Sequence, residues 1–499
     1  MKKIILLLSF ITLTMSCSDL TDMNVDPKRS TITQPEYLFT NAQKKLVDQM
    51  VSTSVNSNVF RMFAQQWTET TYPGESQYDI GARKIPDTHF ATLYRDVLAD
   101  LVDSKNLLKI QKPVTASDIA IQKNKLAVID ILIAYSYSVL VDTFGNVPYT
   151  QSVDDNYPLP AYDDAKTIYK DLITRLAANV AILKNNAADP NFGAADLIFS
   201  GNAASNAKWA KFANSLIIRL AVNISDVDPS YAMTQVQAAI ASGALASNAD
   251  NTKLVYLTTA GNTNPLYLDL VTSKRDDFIP AEPFVAAMEA IGGDLRMGKF
   301  FTNATAPAPK IPVGRTYVGG TYGEANVFGD YSHVTSTLNN PVFAGTLFDY
   351  SELQFLLAEA AEKNLIPGGS VQARIYYNSG ITASFQDWGL TTTDATLYLT
   401  NPKVDYTNVL SGATYKEKLG KQAWFALYNR GFEAWTSYRR LDFPKLFPST
   451  TSKNKGILTV PVRYTYPSVE QTLNGTNYTK AASDIGGDLL NTKVFWDKF

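Results

Sequence analysis

"LLAEAAEKNLIPGGSVQARIYYNSGI", residues 356–381, decides the fold class. Two helix-forming runs flank a Pro-Gly-Gly break, and Ala361, Ala373, Tyr377 and Gly380 are spaced 12, 4 and 3 residues apart. Small residues at that spacing let two antiparallel helices approach closely, with an aromatic ring packed between small neighbours. That is the pattern of a tetratricopeptide helix pair. "AKTIYKDLI" (165–173) repeats the second-helix part with Ala165 and Tyr169. No strict period runs along the chain, so the repeats are degenerate and interrupted by insertions. The expectation is a mainly α protein.

Working outward, the apolar period stays mostly helical. Residues 126–144 are apolar almost all round, which predicts a buried helix, and Asp130 argues against a lipid-facing one. Trp209, Phe212, Leu216, Leu220 and Ile224 fall on one helix face, with Lys211, Asn214 and Arg219 off it. Ser351 and Gln354 have capping-box spacing. Trp424, Leu427, Tyr428, Trp435 and Tyr438 predict one further helix, closed by Pro444. Residues 241–340 are rich in Gly, Asn, Thr and Pro instead. A loop-rich stretch of that length inside a helical protein points to function.

At the other end, "LTMSCSDLTDMNVDP" (13–27) holds the only cysteine among 499 residues. Lys2 and Lys3 precede an apolar run at 4–13, and the small Ser16 stands just before Cys17. This reads as a signal peptide over 1–16, too short to span a bilayer as a mature helix. Cleavage would leave Cys17 as the new N-terminus. The stretch resembles the lipobox of bacterial lipoproteins, with Thr14 where Leu is usual, so Cys17 is the expected lipidation site. The acidic residues 18–22 resemble a surface-export signal of Bacteroidetes lipoproteins. Residues 17–34 read as an extended tether, with Pro27 and Pro35 discouraging helix. Residues 35–499 are expected to form a single domain.

Composition excludes several function classes. The net charge of −2 becomes −4 once Lys2 and Lys3 are removed, and no basic block exists, which argues against nucleic acid as a partner. Beyond the leader no stretch reaches the length of unbroken apolar chain that a membrane helix needs. Two histidines and one cysteine offer no metal pair, and neither metal nor cofactor is expected. "GGDLRMGKF" (292–300) places Gly293, Gly298 and Lys299 as in a phosphate loop but ends in Phe300, where Ser or Thr is required. Asp22, Asn24 and Asp26 start like a calcium loop, but Pro27 takes the turn-glycine position. No G-x-S-x-G or H-E-x-x-H occurs. Paired carboxylates of a surface glycoside hydrolase leave no sequence signature here, and the chain is read as a non-enzyme.

Several ordered motifs then add up to a family. "DMNVDPKRST" (22–31), "VDTFGNVPYTQS" (141–152), "KWAKFANSLIIRLA" (208–221) and "LFDYSELQFLLAEAA" (347–361) are followed by three more. These are "WFALYNRGFEAWTSYRRLDFPKL" (424–446), "VPVRYTYPSVEQTLN" (460–474) and "KVFWD" (493–497). The set resembles the SusD/RagB family over the whole mature chain, and most closely its SusD-like branch. The resemblance implies surface lipoproteins with degenerate tetratricopeptide pairs supporting a loop-rich ligand-binding region. Such proteins bind oligomeric nutrients as lids over SusC-like, TonB-dependent outer-membrane transporters. Lipid on Cys17 would then be the anchor to the outer membrane, at the cell surface.

The ligand is an oligosaccharide or, alternatively, an oligopeptide. Sugar recognition stacks pyranose faces on aromatic rings and hydrogen-bonds hydroxyls with planar polar side chains. Candidate loop residues are Trp67, Tyr72 and Tyr78 in "QQWTETTYPGESQYD" (65–79). Tyr267, Arg275 and Phe278 lie in and around "SKRDD" (273–277), and Tyr317 and Tyr322 in "RTYVGGTYG" (315–323). Trp67 is the one tryptophan among them; the others read as core.

Overall fold

A computed structural model describes residues 33–306 and 311–499. The expected signal peptide, Cys17 and all but the last two tether residues lie outside that range, as do Asp22, Asn24 and Asp26. Antiparallel helix pairs form most of the remainder. Helix α1 (Pro35–Val51) packs on α2 (Ala99–Ile110), which continues Ile85–Ala91 through a π-helical stretch, Thr92–Leu98. Next come α3 (Ala116–Phe144), α4 (Ala165–Asn185), α5 (Ala203–Ile224) and α6 (Pro229–Ser242), each packed against its successor. Helices α7 (Tyr350–Glu362) and α8 (Gly369–Asp387) form the tightest pair, and α9 (Tyr415–Ala426) packs on α10 (Gly431–Leu441), with shorter helices following as far as Gly475–Asp484.

The α7–α8 pair shows why the repeat residues are small. Ala361 and Ala373 are fully buried, and a Cβ on Gly380 would stand 2.9 Å from the Phe355 ring. Tyr377 is buried and donates its hydroxyl to the Val404 carbonyl at 2.8 Å. The same small–aromatic pattern in α4 buries Ala165 and Tyr169. Here the sequence signal and the packing agree.

Helix α3 is long and apolar enough to cross a membrane by length and composition, yet 94 % of its apolar 18-residue window is buried in the protein. A Thr115–Asp118 capping box starts it. Asp130 on this helix meets Lys105 at 2.7 Å and Arg175 at 2.5 Å. Burial alone would raise its carboxyl; the two cations outweigh that and hold it well below the usual range.

Two local expectations are corrected. Asp349, not Ser351, caps α7 through the Glu352 N–H, while Ser351 Oγ donates to the Gly380 carbonyl at 2.7 Å. The expected single helix through Trp424 and Tyr438 is two helices, broken at Asn429, whose φ of 68° is left-handed. The break lets Gly431 meet the segment Phe60–Phe63 so closely that a Cβ there would lie 2.4 Å from the Arg61 nitrogen. Arg219, off the apolar face of α5, is buried and pairs with Glu352 at 2.6 Å.

Short antiparallel strand pairs join the loops, two of them using a strand from the loop-rich middle. Strand β1 (Trp67–Glu69) pairs with β5 (Phe278–Pro280), β2 (Val147–Pro148) with β3 (Tyr162–Asp163), and β4 (Thr252–Leu254) with β6 (Gly345–Phe348). The β1–β5 register, Trp67 to Pro280 and Glu69 to Phe278, joins two of the aromatic loops singled out above.

Candidate functional site

Four of the expected ligand residues turn inward, two of them on the paired strands β1 and β5. Trp67, Tyr78, Phe278 and Tyr322 are all buried, Trp67 completely. Trp67 and Phe278 have ring centroids 5.9 Å apart, and Tyr78 and Tyr322 6.1 Å apart. Their polar tips are committed as well: Tyr322 donates to the Met62 carbonyl at 2.6 Å, and Gln65 donates to the Tyr78 hydroxyl at 3.1 Å. None of the four offers a free ring face in this conformation.

The other four stay accessible. Tyr72 is 65 % exposed, and with Arg275 it lines a shallow crevice shared with Val55, Glu69, Arg83 and Asp277. Arg275 pairs with Asp277 at 2.8 Å, and Arg83 with Glu75 at 2.5 Å. Glu69 below them is pushed up to about 9, first by burial and then by a hydrogen bond shared with Glu75. Tyr267 and Tyr317 are half-buried at other points of the loop region, and Tyr317 packs edge-on against Phe301.

A deeper site lies where α1, the β4–β6 pair, the end of α8 and the α9–α10 turn converge. It is a cavity of about 320 Å³, within the size range of small-molecule sites. Its apolar floor includes Met50, Val51 and Leu266; Phe343, Trp388 and Tyr428 supply aromatic rings. Trp388 lies 6.2 Å from Phe343 and 6.0 Å from Tyr428, centroid to centroid. Phe300, the residue that disqualified the phosphate-loop lookalike, backs these rings at 4.7 Å from Trp388 and 4.2 Å from Tyr428. The rim at Thr337, Asp387 and Gly389 is exposed.

The polar wall is made of planar groups held by partners. Arg430 donates to Asp349 at 2.6 Å and to Glu352 at 2.5 Å. Lys253 reaches Asp387 at 2.5 Å across the rim. Asn429 accepts from Arg61 at 2.9 Å. Glu433 lines the same wall; burial raises its carboxyl pKa against the pull of Arg430 and Arg219. Half-buried aromatic rings in the same cavity as fixed hydrogen-bonding groups suit a ligand with an apolar face and a hydroxyl-bearing edge. Sequence reasoning missed this site because it read Trp388 as core. Trp388 instead caps α8 and is half-buried, beyond the last turn that packs on α7. The signal available was its place before Gly389, past the end of the helical period.

Comparison with known proteins identifies the fold. Residues 27–467 match the family model SusD-like, described as starch-binding and associating with the outer membrane. The chain belongs to the SusD/RagB family. Among solved structures, a SusD homologue from Bacteroides uniformis is 25 % identical with a TM-score of 0.75, over 93 % of this chain and 100 % of that one. A chitin-binding SusD homologue from Flavobacterium johnsoniae is 23 % identical with a TM-score of 0.73, over 92 % of this chain and 98 % of that one. A structure described as a chitin-binding protein is 24 % identical with a TM-score of 0.77, over 93 % and 100 % of the two chains. No curated protein sequence matches significantly.

Proposed function

We propose that this protein is a lipid-anchored cell-surface binding protein. It captures an oligosaccharide without turning it over and serves as the lid of a SusC-like, TonB-dependent transporter. Membership of a family described as starch-binding and outer-membrane-associated supports the reading, as do structural neighbours described as chitin-binding. The observation that carries the choice of a sugar is the cavity lined by the half-buried rings of Trp388 and Phe343 together with Asp349, Asn429 and Arg430. A pyranose has an apolar C–H face for the rings and equatorial hydroxyls for the carboxylate, amide and guanidinium groups. The exposed Tyr72 and Arg275, with Tyr267 and Tyr317, are further contact points for a chain longer than one sugar.

Calorimetry of the purified lipoprotein against panels of neutral, amino and acidic oligosaccharides, and against mixed oligopeptides, tests this. Saturable binding of an oligosaccharide whose chain length is unchanged by mass spectrometry after long incubation is the expected result. Binding of peptides alone would replace sugar by peptide as the cargo. Cleavage that tracks the protein would bring back the hydrolase alternative.

A further inference from the structure

Asn429, at the break between α9 and α10, is left-handed and only 9 % exposed. Asparagine adopts that conformation more readily than most residues. Its backbone N–H donates to Gln66 Oε1 at 3.1 Å. Its side-chain oxygen accepts from Arg61 Nε at 2.9 Å, and a guanidinium can only donate, so this bond fixes which end of the amide is which. The NH2 end is left over. It donates to nothing among the described residues, yet it is not sealed away from solvent, and Asn429 lines the cavity.

The neighbours of that amide are set by the same arginine. Arg61 also donates to the Val51 carbonyl at 2.8 Å and to the Ser52 carbonyl at 2.7 Å. One planar group thus joins Asn429 to the end of α1, which brings Met50 and Val51 to the cavity floor next to the free amide. Asn264 ties two other lining residues together: it donates to the Phe343 carbonyl at 2.6 Å and accepts from the Leu266 N–H at 2.7 Å. The cations of the wall are already taken, Lys253 by Asp387 and Arg430 by Asp349 and Glu352. What the wall offers a ligand here is an uncharged donor beside an apolar floor.

We propose that this corner of the cavity reads the acetamido group of an N-acetylated amino sugar, with Asn429 as the specificity-determining residue. The inference rests on the glycan reading above and narrows it. An acetamido group carries a carbonyl oxygen and a methyl on one carbon, which matches a donor and an apolar surface side by side. The carbonyl accepts from the Asn429 NH2, the methyl packs on Met50 and Val51, and the sugar ring lies towards the half-buried Trp388 at the mouth. A free ammonium would set donor against donor, and a hydroxyl would leave the floor unfilled. A carboxylate or sulfate would find no unpaired cation.

The test is calorimetry of the whole protein with three β-linked oligomers of equal length: N-acetylglucosamine, glucosamine and glucose. The expected result is about tenfold tighter binding of the acetylated oligomer than of the other two, the order of one hydrogen bond plus one buried methyl. Asn429→Asp is isosteric, tolerates the left-handed backbone and keeps the oxygen that Arg61 needs, but exchanges the NH2 donor for an acceptor. It should erase the preference, bringing the acetylated oligomer down to the affinity of the glucose oligomer. Equal affinity for the three oligomers, tighter binding of an unacetylated oligosaccharide, or a preference that survives in the folded variant overturns the inference and leaves the glycan reading standing. Binding of none of them, nor of any other oligosaccharide, overturns both. If Asn429→Asp fails to fold, Asn429→Gly, which also suits the left-handed backbone, takes its place, and failing that the three-ligand comparison on the wild-type protein decides alone.

Discussion

The indole N–H of Trp67 donates to the hydroxyl of Tyr428 at 3.0 Å, with both rings buried. The bond ties the first residue of β1 to the buried ring behind the cavity wall, so Trp67 supports the cavity without reaching it. Trp67→Phe keeps most of the packing and removes the donor. It should cost about 1 kcal/mol of stability and weaken ligand binding a few-fold through a looser Tyr428. Trp67→Ala should cost about 3–5 kcal/mol, as should Trp209→Ala, whose indole donates to Asp196 at 2.7 Å. Denaturant unfolding and calorimetry on the same samples separate the two effects. Unchanged affinity in Trp67→Phe would confine Trp67 to the scaffold.

Trp388→Ala should invert that balance. The ring is half-buried at the cavity mouth, so its loss should reduce oligosaccharide affinity about tenfold, in line with the 1–3 kcal/mol typical of aromatic stacking platforms. The loss of stability should be smaller than for Trp209→Ala. Affinity equal to wild type would move the capture site out to the crevice of Tyr72 and Arg275.

Two buried groups set opposite limbs of the stability–pH curve. His89, buried beside Gln49 at 2.7 Å, is pushed down to about 3 by burial, so its neutral form is favoured in the fold. That contribution is full above the ordinary value of 6.5 and is lost as pH falls towards 3. Glu69 behaves the other way. Its folded value of about 9 stands above the ordinary 4.5, so its contribution is full below 4.5 and is lost as pH rises towards 9. Glu69→Gln, which mimics the protonated acid, should flatten the alkaline limb and raise the melting temperature at alkaline pH. A variant that melts below wild type there would show that Glu69 is charged in the fold.

Cys17→Ala should abolish lipid labelling and release the protein from the outer membrane. Isolation of the wild-type protein in mild detergent through a C-terminal tag should bring a TonB-dependent barrel with it, resistant to high salt. Recovery of the lipoprotein alone, with uptake intact after loss of the neighbouring channel gene, would refute the lid assignment.

The helical architecture was legible because it is a local property. The spacing of Ala361, Ala373, Tyr377 and Gly380 and the all-round apolarity of 126–144 follow from helix periodicity. That period survives whatever the helices pack against. The motif order likewise carried the family. Which aromatics meet solvent was not legible. It depends on the pairing of β1 with β5, residues some 200 positions apart, which turns Trp67 and Phe278 inward and leaves Tyr72 outside. The cavity is non-local in the same way. Lys253, Asp349, Trp388 and Glu433 come from separate elements, and none stands near another in a sequence pattern. Sequence fixes what is periodic along one segment; only the closed tertiary structure decides which side chains share a wall, because burial and charge pairing are properties of the assembled packing.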